Sequence, residues 1–136
     1  MRRWLPLPTL LAVLLASGPA CDGGAPAGEA TAFPEGALVD VLRGGQLGAY
    51  CSGALIAPRV VLTAGHCVKG QLGFVPDAWR VTLPYAGGVT VGSTGAATYD
   101  WQTTNGTVDP GLHDIGLVFL AAPVQLAPGQ CPRLAT

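Results

Sequence analysis

With 136 residues the chain suffices for one domain and is short for two, and 49% hydrophobic against 11% charged residues is too apolar for a disordered polypeptide. A formal charge of −1 with no basic block excludes a nucleic-acid surface built on clustered cations. Gly 20 and Pro 12 imply many turns, which favours an all-β domain over a helical one.

Residues 1–20 have the layout of an export signal. Arg2 and Arg3 are followed by an apolar stretch from Trp4 to Ala16, and small residues Ser17, Gly18 and Ala20 lead to Cys21. The stretch is short for a membrane span and contains Pro6 and Pro8. Removing it takes away two arginines and leaves five basic against eight acidic residues, a net charge of −3. Cys21 resembles the lipidated cysteine of a bacterial lipoprotein, although Gly18 stands where such signals usually carry leucine. An ordinary secreted protein with Cys21 in a disulfide is the alternative. Residues 21–32 then read as a flexible polar tether, and the folded part begins near Phe33.

From there the pattern predicts six short strands. They are Ala37 to Leu42, ended by Gly44-Gly45; Tyr50 to Ala57, ended by Pro58-Arg59; Val60 to Thr63; Trp79 to Tyr85; Gly88 to Tyr99; and Asp114 to Leu120. Helical spacing is confined to a turn around Ala64 to Val68. Six runs with frequent turn signals suggest a small closed barrel.

The chemistry concentrates around His66. Cys51 and Cys67 flank the hairpin that leads to it, and in an exported protein such a pair can staple the turn, contributing about 2–4 kcal/mol. A general base for a serine nucleophile needs a near-neutral histidine and a carboxylate on its second ring nitrogen. His66 and Asp114 can fill those roles. Asp114 leads into an apolar strand, where an unpaired carboxylate would be costly. His113, the only other histidine, is expected at the strand edge without a catalytic role. Asp77, Asp100 and Asp109 read as solvated loop residues, and Trp79, Tyr85, Tyr99 and Trp101 as core or barrel-rim packing.

The segment Cys51 to Val68, with Leu62-Thr-Ala-Gly-His-Cys67, resembles the histidine motif of the chymotrypsin/trypsin serine proteases (peptidase S1). Asp114-Ile-Gly-Leu-Val-Phe-Leu120 is similar to that family's aspartate strand. Gly65 replaces the commoner alanine. The order, histidine then aspartate 48 residues later, fits the family. The resemblance runs from about Phe33 to Leu134 and makes residues 33–136 a partial protease domain. It implies an all-β fold, the six-stranded antiparallel barrel that forms the amino-terminal half of a two-barrel enzyme. It further implies His66 as general base, Asp114 as its orienting acid, a Cys51–Cys67 disulfide, protein or peptide substrates, and no cofactor or metal.

The family's nucleophile would lie late in the chain in a Gly-Asp-Ser-Gly-Gly setting. The three serines here, Ser17, Ser52 and Ser93, all precede Asp114 and none has that context. The oxyanion hole and the side-chain-selecting pocket also belong to the family's second barrel. The expectation is therefore a serine-type endopeptidase member, secreted or lipid-anchored at a bacterial envelope, that is inactive as this chain alone and exposes an apolar inter-barrel face. The alternatives are a non-catalytic, lipid-tethered binding module and one half of a split protease. No Ile/Val-Val-Gly-Gly start preceded by a basic residue occurs around Phe33 to Val39. Cys131 resembles the cysteine near the family's inter-barrel linker, with Cys21 or a cysteine outside the chain as its partner.

Overall fold

A computed structural model describes residues 33–70, 73–102 and 111–126. The expected signal at 1–20, the tether at 21–32 and the cysteines at 21 and 131 lie outside the described residues. The elements in chain order are β1 (Gly36–Arg43), β2 (Gln46–Ala57), β3 (Val60–Thr63), α1 (Gly65–Lys69), β4 (Ala78–Leu83), β5 (Val89–Thr98) and β6 (Gly116–Leu120). The six strands close into an antiparallel barrel in the order β1-β2-β3-β6-β5-β4, with β4 returning to β1. The all-β barrel expected from the turn-rich sequence is thus the observed architecture.

Alternating side chains build the core. Val39 and Val41 of β1, Val61 of β3, Val81 and Leu83 of β4, and Val118 and Leu120 of β6 point inward and are at most 2% exposed. Their β-branched or apolar character suits a pleated surface buried on one side. Asp40 is buried on β1 because its register partner on β4 is Arg80, whose Nε and Nη2 donate to Asp40 Oδ2 at 2.8 and 2.6 Å. Pairing removes most of the cost of the buried carboxylate.

Three strand boundaries depart by two residues or more from the sequence pattern: the end of β4, at Leu83 and not Tyr85, and the starts of β2 and β6. β2 begins at Gln46, four residues before Tyr50, because Gly44 and Gly45 both take positive φ (57° and 75°) and form a two-residue turn. That turn sets Gln46 opposite Arg43 and Leu47 opposite Leu42, after which the register shifts between Leu42 and Val41. Asp77 Oδ2 accepts the Gly44 N–H at 2.8 Å, so this aspartate fastens a turn where the sequence suggested only solvation. β6 begins at Gly116, two residues after Asp114, so the aspartate precedes the strand and does not start it. Of the four aromatics, Trp79 and Trp101 are buried, whereas Tyr85 and Tyr99 are 61% and 74% exposed.

Leu83→Ala should lower unfolding free energy by about 2–5 kcal/mol, because Leu83 is fully enclosed and its removal leaves a cavity. Tyr85→Ala, two residues on and largely in solvent, should change it by no more than about 0.5 kcal/mol. Urea midpoints of the two variants check the contrast.

Candidate active site

The site forms where β3 turns into α1 and where the chain enters β6. After Thr63 the backbone leaves the barrel at Ala64 and makes the short helix Gly65–Lys69. The first amides of a helix have no intrahelical acceptor, and the cap residue Ala64 offers no side-chain oxygen. Asp114 takes that place from 48 residues away: its Oδ1 accepts the His66 N–H at 2.7 Å. Its Oδ2 lies 2.7 Å from His66 Nδ1. An ionised carboxylate only accepts, so Nδ1 carries the proton and Nε2 keeps a free lone pair. One carboxylate therefore fixes both the backbone and the tautomer of the histidine.

Two glycines make the approach possible. At Gly116 a Cβ would stand 2.7 Å from Val68 Cγ2 and 2.8 Å from Ala64 O, so only glycine lets β6 pass this close beneath α1. At Gly65 a Cβ would stand 2.7 Å from Trp101 Cβ and 2.9 Å from its Cγ. Trp101 occupies the space that an alanine methyl would take. It is 3% exposed, and its indole meets the His66 ring edge-on at 6.3 Å between centroids. Its Nε1–H is buried and has no acceptor among the described residues.

Cys51 and Cys67 are disulfide-bonded, with Cα atoms 6.3 Å apart, a separation suited to the bridge. The bond ties β2 to the residue after His66. Trp79 adds a second tether, donating its Nε1–H to Cys67 O at 2.8 Å. Ligand atoms of Cys51, His66 and Cys67 lie within 4.8 Å of one another. With both sulfurs bonded to each other they are not thiolates, so this set does not hold a metal ion. His66 borders a cleft of about 280 Å³ whose walls include Tyr50, Gly70 and Phe74. Among the other serines, Ser93 Oγ accepts the Trp79 N–H at 2.9 Å and serves the barrel. Ser52 faces outward on β2 and accepts from Thr63 Oγ1 through its carbonyl.

Sequence reasoning missed one constellation. Asp100 Oδ1 accepts the His113 N–H at 2.7 Å, and Oδ2 lies 2.7 Å from His113 Nδ1. Asp100 is not simply solvated, because its carboxylate grips His113 in the same two-point manner as Asp114 grips His66. The hydrogen bond from the His113 ring, with smaller help from its backbone amide and charge, holds the Asp100 carboxyl below the usual aspartate range. Thirteen residues separate the two, with no periodic pattern to announce them. The one available signal was their position: each adjoins a site residue, Trp101 or Asp114.

Three measurements follow from this geometry. Opening the Cys51–Cys67 bridge with Cys51→Ser/Cys67→Ser should cost about 3 kcal/mol, as expected for a closed loop of 16 residues, read from urea midpoints. Gly65→Ala should cost about 1–3 kcal/mol by overpacking against the Trp101 Cβ, with a shift in tryptophan emission. Asp100 has a depressed folded-state pKa, so its stabilising contribution is present above the unfolded value near 4 and disappears as pH falls through the folded value. Asp100→Asn should therefore be less stable than wild type at pH 7, and the gap should close below about pH 4 in urea titrations at stepped pH.

The family model described as Trypsin matches residues 25–132. Among curated relatives, a Bombyx mori CLIP domain-containing serine protease HP8 is 54% identical over 35 residues, 26% of this chain and 9% of its own length. Melanization protease 1 of Drosophila melanogaster is 39% identical over 67 residues, 48% of this chain and 14% of its own. The chain thus spans a small part of these relatives. Among solved structures, an HL collagenase superposes with a TM-score of 0.50 at 25% identity, over 71% of this chain and 40% of that one. Neuropsin from mouse brain gives 0.50 at 23% identity over 74% and 41%, a likeness of fold. The matched residues include the whole barrel and both members of the His66–Asp114 pair, and the chain belongs to the trypsin family of serine proteases.

Proposed function

We propose that this chain carries the general base and the orienting acid of a serine-type endopeptidase acting on protein or peptide substrates. One observation bears most of the weight: the Asp114 carboxylate accepts both the His66 N–H and the Nδ1–H, each at 2.7 Å, leaving Nε2 free. That is the arrangement an imidazole needs to take a proton from a serine hydroxyl and return it to the leaving amine, with the carboxylate stabilising the imidazolium formed between the two steps. Half-burial of the pair keeps the attraction from being screened as it would be in open water.

Hydrolysis then requires a serine nucleophile and oxyanion donors from residues outside these 136. Base and acid without nucleophile and oxyanion hole lose several orders of magnitude in rate. On this reading the chain alone does not turn over amides, and a complete enzyme unites this barrel with a serine-bearing one, in the same polypeptide or in a second. The Cys51–Cys67 disulfide supports an exported, oxidising location, in line with the signal-like residues 1–20. Cys21 belongs to the same proposal, either as a lipid attachment or as a disulfide partner.

The test joins the chain, by fusion or co-expression, to a serine-bearing barrel encoded beside it and follows hydrolysis of a chromogenic peptide amide. Activity should appear only in the combination. His66→Ala should then remove it to the background set by binding alone, and Asp114→Asn should lower kcat by about 10⁴. Turnover that survives both substitutions would overturn the assignment.

A further inference from the structure

Asp100 and His113 bracket residues 101–112. Asp100 immediately precedes Trp101, the residue packed against Gly65 and edge-on to His66. His113 immediately precedes Asp114. The two are joined by two contacts of 2.7 Å, one to the backbone amide of His113 and one to its ring. Further bonds lock the same short stretch: the Tyr99 N–H donates to Ile115 O at 3.2 Å and the Ile115 N–H to His113 O at 2.9 Å. The Tyr99 ring meets the His113 ring edge-on at 5.2 Å. Nothing in the His66–Asp114 pair itself fixes where the Asp114 backbone sits. Asp114 lies before β6 and outside its ladder, so these neighbouring bonds help to place its Cα.

We infer that Asp100 and His113 are positioning residues for the His66–Asp114 pair, a second aspartate–histidine clasp that holds the Asp114 backbone and Trp101 at the spacing the first clasp requires. This rests on the reading of His66 and Asp114 given above. The physical reason is leverage. A two-point carboxylate grip on residue 113 restrains the residue that leads into Asp114, and a carboxylate that must reach two donors at once tolerates little displacement. Asp100 and His113 touch no reacting atom. Their effect passes through the geometry of Asp114.

The experiment uses the full chain, uniformly ¹⁵N-labelled, and follows the His66 ring by NMR. Wild type should show a single Nδ1–H tautomer with a low-field Nδ1 proton protected by Asp114. His113→Ala, which keeps the backbone amide for Asp100 Oδ1 but removes the ring, should exchange or broaden that proton and move the ring ¹⁵N shifts toward a tautomer mixture. The amide spectrum of Val39, Val81 and Leu83 should stay in place. Asp100→Ala should do the same more strongly. His113→Asn, whose side-chain amide can donate to Asp100 Oδ2, should restore the wild-type signal, which a general loss of stability would not allow. If Asp100→Ala does not fold, the pair His113→Ala and His113→Asn decides. An unchanged His66 proton in His113→Ala overturns the clasp while leaving the His66–Asp114 reading intact. A wild-type His66 without a protected Nδ1 proton overturns both.

Discussion

The structure turns on one carboxylate meeting two donors of the same residue. Asp114 accepts the backbone N–H and the ring Nδ1–H of His66. The first bond satisfies a helix-end amide that Ala64 cannot cap, and the second selects the imidazole tautomer. A local need of the fold and a chemical need of the site are thereby met by a single group. Such coupling means that whatever keeps the entry to α1 in place also keeps the His66 ring in its orientation.

The barrel supplies the fixed frame for that contact. β3 and β6 are direct neighbours, with Thr63 opposite Gly116, so the chain leaving β3 and the chain arriving at β6 share one rim. Gly116 and Gly65 thin the wall there, and the disulfide and the Trp79–Cys67 bond anchor the far side of the histidine turn. Each device is modest. Together they restrain the ring from the sheet below, from the helix beside it and from Trp101 at its edge.

Much of this was legible in the residues. The β-branched alternation of Val39, Val41 and Val81, the Gly44-Gly45 turn and the Pro58-Arg59 break announce short antiparallel strands. His66 between two cysteines and the later Asp114 stand out because their setting and order resemble the histidine and aspartate motifs of the trypsin family. What stayed hidden has a common cause. The exposed half of β2 carries no burial signal, since its ladder is dictated by a turn and not by a core. Asp100 and His113 look like ordinary loop residues, because a pairing across thirteen positions of irregular chain obeys no period. The role of Gly65 likewise emerges only once Trp101 is seen lying against it. A glycine in a motif says that space is needed without saying what fills it.

Ring closure of the six strands also bears on how the chain would associate with itself. Every described strand has a neighbour on both sides, which shortens the open edges to partial rows such as residues 46–52 of β2, paired with β1 and reached by β3 only from Gly53 on. What the barrel does present is side chains, among them Tyr50, Tyr99 and Ile115, all well exposed. Ring closure thereby weights self-association of this fold toward apolar side-chain contact, which mild detergent disperses.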